Sequence, residues 1–165
     1  MLTSNLIFII KGSLNPNLPP SIFGITPMIV VSGSMSGQED NHIEVGDMVF
    51  VKRVKEEDLQ IGDVIAFQRD NSLSVITHRI TDIRSSQGKL MFQTKGDANN
   101  VVDPDLVSGN QVLGLYFLRI PKLGSFALYL QEPLGMTIFI GIPILAFLLY
   151  DIIQRHSQLK VEREN

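Results

Sequence analysis

The 165-residue chain contains no cysteine, which excludes disulfide bonds, a thiol nucleophile and cysteine-bound zinc. It has no dense run of Lys and Arg, and its net charge is -3, a balance that argues against nucleic acid as a partner. None of its three histidines forms an i, i+4 pair or an HExxH motif, so no metal site is expected, and no cofactor is. There is no internal repeat. Outside one stretch near the C-terminus, no segment carries a long 3.6-residue apolar period. What remains is 44% apolar and 19% charged, enough for a packed core and too apolar for a disordered chain. The length suits one domain plus a membrane segment.

The apolar residues concentrate at 134–153, LGMTIFIGIPILAFLLYDII, whose only charge is Asp151. Residues 134–150 hold no charge and span about 25 Å as a helix, close to a hydrocarbon core of roughly 30 Å. Gly135, Gly141 and Pro143 would weaken a soluble helix but are tolerated in a membrane helix. We therefore expect a transmembrane helix at 134–153, followed by a polar tail at 154–165. Near the N-terminus, LIFII at 6–10 is apolar but too short to span. It lacks the charged flank and small-residue cleavage site of a signal peptide. NPNLPPS at 15–21 reads as an extended linker, so 1–21 forms an N-terminal stub and linker.

Between these ends the pattern is β. Segments 28–32, 48–54, 63–67, 74–84, 90–95 and 111–118 are rich in Val, Ile, Phe and Thr, and Gly-, Asn-, Asp- and Ser-rich turns separate them. The fold class is mainly β: a small β domain at 22–133 with a C-terminal transmembrane helix.

Three places within it could carry chemistry. In SVITHRITDIR (74–84), strand alternation puts Ile76, His78, Ile80 and Asp82 on one face. His78 there is either a core histidine with a hydrogen-bond partner or a general base. In VSGSM (31–35), Gly33 lets the backbone turn sharply beside Ser34. Such a turn can expose a hydroxyl and aim amides at one point, and it is also common in plain loops. KGDANNVVDPD (95–105) reads as an Asx-rich turn. It also reads as a source of a fixed carboxylate for an imidazole: Asp103, held extended by Pro104, with Asp97 and Asp105 as competitors. His42 in a polar loop and His156 in the tail carry less.

The order VSGSM, GDMVFVKRV, GDVIAF, THRI and KGDANN…DP resembles the signal peptidase I family, in the branch found in archaea, the endoplasmic reticulum and some Gram-positive bacteria. The likeness runs over residues 24–124 and into the apolar helix. The resemblance implies a signal-peptidase-like β domain with Ser34, directly before the methionine, as nucleophile. It implies His78 as base, at the place where the common bacterial branch has a lysine before arginine. It further implies Asp103 as the assisting acid, Asp97 within KGD as a second required acid of structural role, and Ser32 as an oxyanion-hole residue. Two features depart from the family. SGQEDNHIE (36–44) replaces the usual Glu-Pro after SGSM, and only LIFII stands where a first membrane helix should end. From the latter we expect that part of a first membrane helix is missing from the sequence.

The implied reaction is acyl transfer to Ser34, with His78 passing the proton to the leaving amine and Asp103 orienting the ring. The implied substrates are preproteins with small residues, Ala-x-Ala-like, before the cut, bound as an extended strand on a sheet edge. Apolar residues among 23–31 or 115–126 would meet the lipid. The expected location is the cell membrane, with the β domain extracytoplasmic and the tail cytoplasmic. Membrane partner subunits are left open. The main rival is a membrane-tethered β module that binds peptides without cutting them. A self-cleaving repressor-like domain is opposed by the apolar helix and by the lack of a DNA-binding segment.

Overall fold

A computed structural model describes Pro19 and residues 21–37, 42–70, 72, 74–86 and 88–164, with side chains as far as Gln154. The LIFII stub and nearly all of the 15–21 linker lie outside the described residues, as do the side chains of the polar tail.

Among the described residues, seven strands form one antiparallel sheet in the order β1-β2-β7-β3-β4-β5-β6. They are β1 (Ile25–Ile29), β2 (Met48–Lys52), β3 (Val64–Gln68), β4 (Val75–Ser86), β5 (Lys89–Lys95), β6 (Val107–Ser108) and β7 (Val112–Ile120). The mainly β reading is thus what the chain adopts. β3 reads VIAFQ with no polar alternation because both of its faces are covered. Ile65 and Phe67 join a core with Leu59, Ile80, Phe92 and Val107. Val64, one residue out of phase, joins a second core with Met35, Ile43 and Val49. β1 contains Pro27 and lies at the sheet edge, the place where a missing N–H breaks no ladder.

Register slips mark three bulges. Leu113 and Phe117 are extra residues in β7, opposite the steps Ala66–Phe67 and Phe50–Val51. Thr81 is extra in β4, opposite Thr94–Gln93. This last bulge corrects the expected face: Ile76, His78 and Ile80 alternate as predicted, but past Thr81 it is Ile83 that packs on the core. Asp82 instead pairs with Arg84 in solvent.

The chain divides into two compact units, residues 1–124 and 125–165. The helix α1 (Leu123–Tyr129) crosses that boundary. In the second unit, α2 (Pro133–Met136) opens with proline at its start, a π-helical stretch covers Thr137–Gly141, and α3 (Ile142–Glu164) continues. Pro143 has no N–H to give the Phe139 carbonyl and its ring crowds it, which accounts for the widened turn just before it. Pro133–Gln154 is long and apolar enough to cross a membrane, and none of its apolar window is buried.

Candidate active site

Ser34 owes its position to the residue after it. Met35 is buried in the second core, so the chain must turn before it. Ser36 N–H donates to the Gly33 carbonyl at 3.0 Å, and Ile43 N–H donates to the Met35 carbonyl at 3.0 Å. The turn leaves Ser34 half-buried at the surface, with Ser32 Oγ 3.5 Å from its Oγ.

His78 comes from β4 and is 7% exposed. Its Nδ1 lies 2.7 Å from Asp103 Oδ2, and both side chains are nearly buried. The same carboxylate oxygen accepts from the hydroxyl of fully buried Thr94 at 2.6 Å. Backbone bonds hold Asp103 in place: its N–H donates to the Thr94 carbonyl at 2.8 Å, and its carbonyl accepts from Gln93 Nε2 at 2.6 Å. A carboxylate at Nδ1 favours the tautomer that carries the proton there and leaves Nε2 as an acceptor. The Phe67 ring stands edge-on to the imidazole at 6.3 Å.

Gly96 brings the imidazole and the serine turn together. A Cβ on it would lie 2.5 Å from the Ser34 carbonyl oxygen, 2.9 Å from His78 Nε2 and 2.8 Å from Asn99 Nδ2. No side chain fits there, so the turn after β5 can close directly on Ser34. Ala98 N–H donates to the Ser34 carbonyl at 3.0 Å. Ser34 Oγ makes no hydrogen bond to His78 Nε2 among the described residues; its neighbour is Ser32.

The remaining acids separate cleanly. Asp97 forms a two-pronged pair with Arg79, Nε to Oδ1 at 2.9 Å and Nη2 to Oδ2 at 2.6 Å. Arg79 also donates to the Gly62 carbonyl at 2.9 Å. Asp97 thus ties the turn after β5 to the loop before β3 rather than touching His78. Asp105 is exposed and pairs with Arg69 at 3.1 Å.

The loop that replaces Glu-Pro returns to the sheet at His42–Asp47. Asp47 is 1% exposed. It accepts from Arg119 Nη1 at 2.8 Å, from the Glu44 amide at 3.0 Å and from the Lys122 amide at 3.1 Å. Burial pushes its carboxyl upward, but the two amides and the Arg119 guanidinium outweigh that and hold it below the usual carboxylate range. Arg119 Nη2 lies 2.9 Å from His42 Nε2.

Ser32, Ser34 and His78 line one cleft of about 600 Å³. Its walls are residues 28–32 and 74–78, and Met35, Ile43 and Val49 supply apolar lining. Both walls are sheet edges. β1 is terminal in the sheet, and β4 pairs with β5 only from Arg79 onward, so the 75–78 segment has an unpaired side among the described strands. Backbone donors and acceptors beside an apolar trough suit an extended peptide. No group of three or more His, Asp or Glu able to hold a metal occurs among the described residues.

The structure therefore groups Ser34, Ser32, His78 and Asp103, and places Asp97 in a supporting pair. Reading the sequence missed Thr94, Gly96 and Asn99. For Gly96 and Asn99, their place in KGDANN was the available signal. Thr94 had none, because its partner is nine residues away.

No family model matches the chain. It is 40% identical over 98 residues to signal peptidase I W of Bacillus subtilis (strain 168), covering 59% of this chain and 49% of that protein. It is 29% identical over 87 residues to the signal peptidase complex catalytic subunit SEC11C of Homo sapiens, covering 52% and 44%. To the signal peptidase complex catalytic subunit SEC11 of Yarrowia lipolytica it is 25% identical over 115 residues, covering 65% and 64%. The chain spans about half the length of the first curated relatives it matches.

Proposed function

Because the chain belongs to the signal peptidase I family, in the branch that includes the endoplasmic-reticulum enzymes, we propose that it is a membrane-bound serine endopeptidase that removes signal peptides from preproteins. The observation that carries this reading is the buried His78–Asp103 pair, whose free ring nitrogen sits beside the Ser34 turn in a cleft with two sheet edges.

In this mechanism a preprotein lies extended between residues 28–32 and 74–78, its backbone bonded to both edges. Its small residues fit the shallow apolar trough over Met35 and Ile43. Ser34 Oγ swings from Ser32 to His78 Nε2 as the cleft fills, since catalytic hydrogen bonds tighten in the substrate complex. It attacks the carbonyl carbon; His78 takes its proton and gives it to the leaving amine, while Asp103 keeps the ring oriented. The Ser34 amide and the Ser32 hydroxyl face the developing oxyanion. Asp97 holds the KGD turn through Arg79.

The domain division follows: 1–21 as stub and linker, 22–133 as the catalytic domain, 134–153 as the membrane span and 154–165 as the tail. The catalytic domain works on the extracytoplasmic face of the cell membrane with the tail in the cytoplasm. The hairpin tip at Phe23 rests in the lipid. Phe23 and Gly24 both have positive φ, 50° and 79°, closing a two-residue turn across the Ile22–Ile25 bridge. Phe23 is 98% exposed there, a costly place for a phenyl ring in water.

Sequencing the released product tests the reading. A preprotein with an Ala-x-Ala site is expected to be cut after the second Ala, and replacing that Ala by Leu is expected to abolish the cut. Scattered cleavage, or indifference to that residue, would overturn it.

A further inference from the structure

In the catalytic cleft, Asn99 stands beside the base with nothing to hold. Its backbone is fixed: its N–H donates to the Gly96 carbonyl at 2.9 Å, and the neighbouring Ala98 N–H donates to the Ser34 carbonyl. Its side chain is half-buried, lines the cleft with Ser34 and His78, and makes no hydrogen bond among the described residues. Asn99 Nδ2 and His78 Nε2 lie 2.8 and 2.9 Å from the same point, the place where a side chain on Gly96 would begin. The two nitrogens are therefore within about 6 Å of each other, near enough for one small group in the cleft to bond to both.

The chemistry of the two ends specifies what that group is. The carboxamide nitrogen is a donor. Nε2 is an acceptor when Asp103 keeps the proton on Nδ1. The bridging group must accept from one and donate to the other, and water does both. We propose, resting on the peptidase reading above, that Asn99 holds and orients the water that hydrolyses the acyl-enzyme. Its N–H occupies one lone pair of the water. The water gives one proton to His78 Nε2 and directs its second lone pair at the acyl carbon. The new C–O bond forms, the bond from carbon to Ser34 Oγ breaks, and His78 returns the proton to Oγ. The signal peptide leaves with a free carboxyl end. Asn99 is thereby a catalytic residue of the second half-reaction and not of the first, because acylation needs no water.

The test separates the two halves. The full-length chain in liposomes is given a labelled preprotein, and release of mature protein is followed at enzyme-level concentrations with intact mass measured in parallel. Asn99→Ala removes only the carboxamide; the turn's hydrogen bonds are backbone ones and persist. It is expected to release the first equivalent of mature protein at the wild-type rate, then turn over about a hundredfold more slowly. The enzyme is expected to gain the mass of the signal peptide acyl group on Ser34. Asn100→Ala, at an exposed neighbour, is expected to match the wild type. A first equivalent slowed as much as later turnover with no adduct, or unchanged turnover, or the same adduct in Asn100→Ala, would overturn the assignment. A wild-type chain that releases nothing overturns the peptidase reading itself, and this role with it.

Discussion

Thr94 offers the sharpest test of how His78, the proposed base, is held. It is fully buried, and its hydroxyl gives its proton to the same Asp103 oxygen that faces His78 Nδ1, at 2.6 Å. Thr94→Val keeps the shape and removes that donor. A hydrogen bond to a charged group contributes about 1.5–3 kcal/mol. If that contribution serves to keep the carboxylate aligned on the imidazole, losing it costs about 10- to 150-fold in kcat/KM, at 1.36 kcal/mol per tenfold. KM should stay near its wild-type value, because Thr94 touches no part of the cleft. Thr94→Ser should recover most of the rate. The decisive comparison is a double-mutant cycle: once Asp103→Ala has removed the carboxylate, Thr94→Val should cost nothing more. The assay is preprotein cleavage, with thermal unfolding measured on each variant. An undiminished rate in Thr94→Val, or an equal loss with and without Asp103, would refute the argument that Thr94 works through that acid.

Gly96→Ala should lower cleavage more than Thr94→Val does. Its methyl would lie 2.5 Å from the Ser34 carbonyl and 2.9 Å from His78 Nε2, forcing the turn off Ser34. Wild-type kinetics in this variant would show that the close approach is dispensable. For Asp47, the folded carboxyl titrates below its ordinary value of 3.8, so its stabilising effect is present above that value and disappears as pH falls through the folded one. Asp47→Asn should therefore destabilise the fold by about 1–3 kcal/mol near neutrality and by progressively less as pH falls below 3.8, read as unfolding midpoints across pH. A constant difference across that range would contradict the role of its charge. Since the chain has no cysteine, Phe23→Cys gives a single labelling site. A dye there should be quenched by brominated lipids and one on Asp58→Cys should not; equal quenching would remove the hairpin tip from the bilayer.

Much of this was legible in the sequence, for identifiable reasons. β3 announced itself because a strand buried on both faces is an unbroken apolar run, VIAF. The apolar helix did so through length alone. β6 is two residues long, too short to show any period, and α1 at seven residues covers barely two turns. β1 begins at Ile25 rather than residue 28 because an edge strand tolerates Pro27, which reads locally as a breaker. The Thr81 bulge changed which later residue of β4 meets the core, and no local signal marks it. At the site, Ser34 and His78 were named from motif and pattern, but three aspartates within nine residues could not be told apart by spacing. Only folding shows that Asp103 meets the imidazole, Asp97 meets Arg79 and Asp105 meets Arg69. For Asn99 the KGDANN motif marked the turn but not the side chain, whose place beside His78 appears only on folding.

The most direct test of the account is cleavage of a labelled preprotein in liposomes by the wild-type chain and by Ser34→Ala. The account predicts a single cut by the wild type and none by the variant, with both folded and membrane-inserted. Cleavage that survives in Ser34→Ala would contradict Ser34 as the nucleophile, and binding without cleavage by both proteins would make the cleft a peptide-holding module.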